Sequence, residues 1–330
     1  MRKALILTLT ICLIFPLCGC SAKRAVSNDG QEYIVSALGF DGDGDKLKIT
    51  LEALVVNSDD LEADKKTRLI FGVGENSASA FSEIIAQATQ PLALGHNGAV
   101  IIGSKISPNQ LDDILNFIGE NEEINVASML IFSDSAEKLL SKETVSSAAV
   151  GYDIVSMIEV SKIINGMEFK NRFFEVQSEL RKPLRTFSLP CFYIVEDGFL
   201  LGGTAFFKEN RQSVILNLEN SRISGFITDT LHRGDYLING VNIKTEYSKT
   251  TYDFEFKDRL YLTVNVRFKA DKNFDFNIIN VFFQQIKADY GDIWGIGNII
   301  YQKKPKIWNK IKDDYESYFK NSVLRVKVYE

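Results

Sequence analysis

The sequence predicts an α+β fold, with a mixed α/β N-terminal half and a C-terminal half in which a long-stranded antiparallel sheet is packed by helices. Three observations predict it. In the first half, short apolar runs such as Ala99–Gly103 alternate with stretches whose apolar residues recur at i, i+3, i+4 and i+7, the spacing of one buried helix face. Near Pro190 the period changes, and Leu260, Leu262, Val264, Val266 and Phe268 then alternate with Tyr, Thr, Asn and Arg, as antiparallel strands with one solvated face do. Finally, 330 residues that are 45% hydrophobic and 25% charged can bury a sizeable core, and that length suggests about two domains.

The elements follow in order. Strands are predicted at Glu32–Phe40 and Lys46–Val56, with Asp41-Gly42-Asp43-Gly44-Asp45 as the turn between them. In the second strand Leu47, Ile49, Leu51, Ala53 and Val55 define one buried face. A third strand, Arg68–Val73, leads into a helix carrying Phe81, Ile84, Ile85 and Ala88, with Ser77 or Ser79 as its N-cap. Ser107-Pro108 opens a helix with Leu111, Ile114, Leu115 and Ile118 on one face. Short strands are expected at Ala99–Gly103 and Asn125–Phe132, and helices at Tyr152–Ile164 and through Phe169, Phe173, Val176 and Leu180. Glu196-Asp197-Gly198 joins strands Ser188–Val195 and Phe199–Phe207 as a hairpin. Tyr247–Phe256 and Leu260–Phe268 are long strands, Phe276–Asp289 and Pro305–Phe319 helices, and Ser322–Val328 a final strand.

Composition excludes several classes. The aliphatic and aromatic content rules out bulk disorder, and no stretch reaches the roughly 18 apolar residues of a membrane span. With 38 Lys+Arg against 43 Asp+Glu, net charge −5, no basic field invites nucleic acid. The N-terminus is distinctive: Arg2 and Lys3, then apolar Ala4–Leu17, read as a signal peptide. It ends in Leu17-Cys18-Gly19-Cys20, which is similar to the lipobox of bacterial lipoproteins, where cleavage precedes a diacylglycerol-bearing cysteine. Cys20 is therefore the expected lipid-attachment residue, and Ala22–Gln31 a polar tether. Loss of Cys12 and Cys18 with the leader, and acylation of Cys20, leave Cys191 alone, so no intramolecular disulfide is expected. Cys191 is read as a buried, inert thiol.

The candidate chemistry is thin. Asp41, Asp43, Asp45 and Glu52 imitate the spacing of an EF-hand, but Lys46 stands where the turn requires glycine, so calcium is not expected. Gly72-Val73-Gly74 lacks the third glycine of a dinucleotide loop. His96, between Gly95 and Asn97-Gly98, is read as part of a tight turn, and neither it nor His232 has metal-ligand spacing. No nucleophile elbow and no Cys/His pairing is present, so neither enzymatic activity nor a cofactor is expected. Lys303, Lys304, Lys306, Lys310 and Lys312 cluster around a helix whose apolar stripe is Trp308, Ile311, Tyr315 and Phe319. They are read as its solvated face, with contact to anionic lipid as the functional alternative.

One resemblance spans nearly the whole chain. Asp292-Ile293-Trp294-Gly295-Ile296-Gly297, then Lys304-Pro305-Lys306-Ile307-Trp308, then Val323-Leu324-Arg325-Val326-Lys327-Val328 resemble the ending of the Ger(x)C spore germination lipoproteins. Gly39-Phe40-Asp41, Gly95-His96 before Val100-Ile101-Ile102-Gly103, Leu189-Pro190 and Gly203-Thr204-Ala205-Phe206-Phe207-Lys208 follow in the family's order. Ser21-Ala22-Lys23 after the lipid cysteine, and Val214-Ile215-Leu216 in place of a Gly-x-Leu, depart from it. The resemblance implies a non-enzymatic C subunit of a nutrient germinant receptor. It would be tethered through Cys20 to the outer face of the spore inner membrane and assembled with A- and B-type membrane subunits to trigger germination. The expected organisation is a leader at 1–19, an N-terminal α/β region at 20–187 including the tether, and a C-terminal germination-lipoprotein domain at 188–330. The alternative is a solute-binding lipoprotein of a membrane transporter, which would need two α/β lobes around a cleft.

Overall fold

A computed structural model of the chain describes residues 32–55, 67–144, 148–271 and 275–329. The leader, Cys20, the tether and Val56 lie outside the described residues.

A mixed nine-stranded sheet organises the first two thirds of the chain. β1 (Tyr33–Asp43), β2 (Lys46–Val55) and β3 (Thr67–Gly74) form an antiparallel meander. The short β4 (Leu92–Ala93) and β5 (Ala99–Gly103) join β1 in parallel, β6 (Met129–Ser133) joins β5 in parallel, and β7 (Thr186–Val195) joins β6 in parallel. β8 (Gly198–Lys208) and β9 (Arg211–Asn217) close the far edge as antiparallel neighbours. One face carries α1 (Ser77–Gln87), α2 (Pro108–Glu120) and α5 (Phe173–Leu180). The other carries α3 (Ala136–Leu140) and α4 (Val150–Asn165).

Covering both faces explains a departure from the sequence reading. Alternation in β2 predicts one buried face, yet Thr50 and Glu52 on the opposite face are also fully buried, because α3 and α4 close over that side. Helix starts follow local chemistry. Ser107 caps α2 in a capping box with Gln110. α1 is capped not by Ser77 or Ser79 but by Asn76, in a capping box with Ser79, since Asn76 is the last extended residue before the helix. The predicted strand at Asn125–Phe132 begins only at Met129, because Asn125 turns the chain by accepting from Ala127 N–H. The helix predicted from Phe169 begins at Phe173.

The second sheet has the order β10 (Gly234–Ile238), β11 (Val241–Phe256), β12 (Leu260–Ala270) and β13 (Val323–Tyr329). Its first three strands are antiparallel, and β13 joins β12 in parallel. A parallel return needs a crossover, here α7 (Asn277–Tyr290), α8 (Ile296–Lys303), α9 (Pro305–Ile311) and α10 (Tyr315–Lys320). The single helix predicted at Pro305–Phe319 is two, with Lys312–Asp314 tightened into a 3-10 turn between them. α6 (Leu218–Thr228) links the two sheets. The core of the second sheet includes Phe206, Val214 and Leu216 from β8 and β9, so it is built directly on the edge of the first. The boundary expected at 187/188 falls inside β7, and the first sheet runs on to Asn217, because β7, β8 and β9 are one continuous antiparallel meander.

The acidic residues of the imitated calcium loop go elsewhere. Asp41 accepts from Ala136 N–H and Glu137 N–H and caps α3. Glu52, fully buried, accepts from Val150 N–H at 2.7 Å and from Gly151 N–H and the Ser36 hydroxyl, so a carboxyl anchors the start of α4. The helix approaches so closely that a Cβ on Gly151 would lie 2.8 Å from both Ala37 Cβ and Ser36 O. Burial pushes the Glu52 carboxyl above its usual range and Asp153 adds to this, against the opposing hydrogen bonds. A raised folded pKa means a stabilising contribution fully present below the unfolded value near about 4.3 and lost as pH rises through the folded one. Glu52→Gln cannot titrate and turns an amide N–H toward a backbone donor, costing about 1–3 kcal/mol. The stability gap between wild type and this variant, measured by urea unfolding, is expected to be widest in acid and to narrow toward pH 8. A gap that widens with pH contradicts the account.

Candidate functional site

The site is the turn between α7 and α8, where the two sheets meet. Asp292 is fully buried. Its Oδ1 accepts from Ile296 N–H at 3.0 Å, and its Oδ2 from Gly297 N–H at 2.8 Å and from the Tyr315 hydroxyl at 2.7 Å. One carboxyl therefore satisfies the orphan donors that begin α8 and ties them to α10. Gly295 precedes α8 with φ 69°, in the left-handed region open to glycine. A Cβ on Gly297 would sit 2.6 Å from Leu184 Cδ1 and 2.7 Å from the Tyr315 ring. The two glycines thus serve different ends, one a turn and the other a close approach.

Neighbouring side chains extend the junction. Trp294 stacks on Phe283 of α7 with centroids 4.9 Å apart, and its Nε1–H donates to Ser224 Oγ of α6 at 2.8 Å. Asn298 Oδ1 accepts from Leu184 N–H at 3.0 Å while its Nδ2 donates to Thr186 Oγ1 at the start of β7. Lys208 at the end of β8 pairs with Glu316 of α10. Buried Lys287 of α7 donates to Ser322 O, just before β13, and burial holds its ammonium pKa below the usual lysine value. Beside the turn lies a cleft of about 250 Å³, lined in part by Phe169, Ser188, Thr204, Ser224 and Trp294. At its rim Glu168 accepts from Lys162 at 2.5 Å and lies 3.2 Å from His232 Nε2. The Lys162 hydrogen bond holds the Glu168 carboxyl below the usual carboxylate range.

The structure brings few of the sequence candidates together. Cys191 is buried in β7, with its thiol pushed up to about 12 by burial, a thiol and not a nucleophile. His96 ends a 3-10 turn far from His232 in the chain. Among the described residues no three His, Cys, Asp or Glu side chains form a metal-holding group. Trp308, Ile311, Tyr315 and Phe319 are buried and the five lysines exposed. The motif Asp292-Ile293-Trp294-Gly295-Ile296-Gly297 marks the turn in the sequence. It did not reveal that Asp292 is a buried cap, or that Asn298 and Thr186 join the sheets. The available signal was an acid placed four and five residues before two helix-opening amides. This arrangement ties the helices of the second sheet to β7 and β8 of the first.

Asp292→Ala would leave two backbone amides and the Tyr315 hydroxyl without their acceptor in a buried place. At about 1–3 kcal/mol for each unsatisfied group, the unfolding free energy should fall by at least about 3 kcal/mol. Denaturant titration checks this, and a loss below about 1 kcal/mol would mean that the turn is held by packing alone.

Comparison with known proteins places this geometry. The family model for the spore germination protein N-terminal domain matches residues 31–194, and that for the spore germination B3/GerAC-like C-terminal region matches residues 272–329. The second match contains the Asp292 turn, α8 to α10 and β13. The crystal structure of the GerBC protein is similar in fold, with a TM-score of 0.50 and 16% identity over 88% of this chain and 95% of that one. A search of curated proteins gave no match. The chain belongs to the GerAC-like family of spore germination proteins, the C subunits of germinant receptors.

Proposed function

We propose that this chain is the lipid-anchored, non-enzymatic C subunit of a nutrient germinant receptor, held through Cys20 on the outer face of the spore inner membrane. There it assembles with A- and B-type membrane subunits and takes part in triggering germination. The observation that carries this reading is the order of parts: a lipobox at Leu17–Cys20, then the two family regions at 31–194 and 272–329. Among the described residues no helix is long and apolar enough to cross a membrane, so membrane attachment falls to the N-terminal acyl chains, and two chains give stable anchoring where one does not. Without Arg2 and Lys3 the charge is −7, from 36 basic and 43 acidic residues, which favours a lipid anchor over a general basic surface. In this reading residues 20–31 are the tether, and the folded part divides after Asn217, where the first sheet ends. A solute-binding lipoprotein would need two α/β lobes closing on a hinge. The two sheets here share a core through β8 and β9, which gives that alternative no support.

Cys20→Ala tests the anchor. The wild-type protein is expected in the spore membrane fraction with an N-terminal peptide carrying a diacylglycerol mass at Cys20. The variant should leave that fraction, and its spores should respond weakly or not at all to nutrients. A variant that remains membrane-bound and fully responsive would overturn the role of the tether.

A further inference from the structure

The lysines of α8, α9 and the turns that flank α9 are not explained by the fold. Lys304, Lys306, Lys310 and Lys312 are exposed and form no ion pair among the described residues, and Lys303 lies over the Tyr252 ring at 5.7 Å. Tyr301 beside them is 46% exposed. Between Trp294 and Lys312 there is no acidic residue, so a basic face with an exposed aromatic stands out on a chain of net negative charge. Asp313 and Asp314 bound it on one side, and Glu316 is already paired with Lys208.

Topology places this face. β1, β5, β6 and β7 run parallel, with Ala37 beside Ala99, Ala99 beside Met129 and Phe132 beside Cys191. The starts of β1 and β7 therefore lie at the same end of the main sheet, three strand spacings or about 14 Å apart across it. The tether enters at β1, and α8 is fixed to the start of β7 through Asn298 and Thr186. The twelve residues from Ser21 to Glu32 span at most about 40 Å. A lipid on Cys20 thus lies within about 40 Å of the end of the main sheet to which Asn298 of α8 is fixed. Lys105, after β5 and against Gly42, marks the opposite end.

We infer that the basic face of α8 and α9 rests on anionic lipid headgroups of the membrane that carries the anchor. It fixes which side of the protein faces the bilayer and which side is left for partners. Basic side chains attract an anionic leaflet only within a Debye length of about 10 Å, so these lysines orient a tethered protein and would not recruit a free one. A tyrosine at the rim suits the headgroup layer. This inference rests on the lipid anchor proposed above.

The test uses the full-length lipoprotein, inserted by its own acyl chains into nanodiscs of zwitterionic lipid or of lipid about one third anionic. Lysines are labelled with an amine-reactive ester and read by mass spectrometry. Labelling of Lys304, Lys306 and Lys310 is expected to fall about threefold or more on the anionic discs, to recover in high salt, and to leave Lys105 unchanged. Equal labelling on both lipids overturns the inference. So does protection that appears on zwitterionic discs only when receptor subunits are added, which would assign the face to an acidic protein. Failure of the protein to enter either disc would instead count against the anchor, and is read separately from the uptake step.

Discussion

A carboxylate placed out of water must find donors or it is expelled, and Asp292 meets that constraint by drawing three donors from two helices onto one side chain. Two of its donors are the first amides of α8, and the third is the Tyr315 hydroxyl from α10. The rest of the C-terminal architecture hangs on the position so fixed. With α8 in place, Asn298 reaches Leu184 and Thr186 of the first sheet, Trp294 reaches α6 and α7, and the chain is aimed to return as β13. Glu52 repeats the device elsewhere on the main sheet, where it holds the start of α4. In both places a buried acid sits at a helix N-terminus, where the helix dipole favours negative charge.

Patterns set by one apolar face were legible: Leu111, Ile114, Leu115 and Ile118 mark α2, and Leu260 to Phe268 mark β12, each close to its observed bounds. Elements that bury small or polar residues were not. α6 packs with Ser221, Ser224 and Gly225 on its inner side, so its apolar period is faint, and β10 is a five-residue edge strand. Thr50 and Glu52 look like solvent-facing positions in β2, because alternation cannot tell a solvated face from one covered by a later helix. Pairings between distant segments, such as Asn298 with Thr186, leave no local pattern. The motif around Asp292 was visible, but its meaning as a cap became clear only with α8 and Tyr315 in position.

The same geometry bears on function. Among the described residues no three His, Cys, Asp or Glu side chains form a metal-holding group, and the polar contacts of Asp292, Asn298 and Thr186 form a joint between the two sheets. A protein whose polar investment goes into fixing relative orientation suits a subunit that presents surfaces to partners.

The most direct test of membership in a receptor is its company in the membrane. Full-length protein, crosslinked in spore membranes and recovered with its neighbours for mass spectrometry, should bring down an A-type subunit and a multi-spanning B-type subunit of a germinant receptor. Recovery of transporter permease and ATPase subunits in their place would contradict the account and return the chain to the solute-binding class.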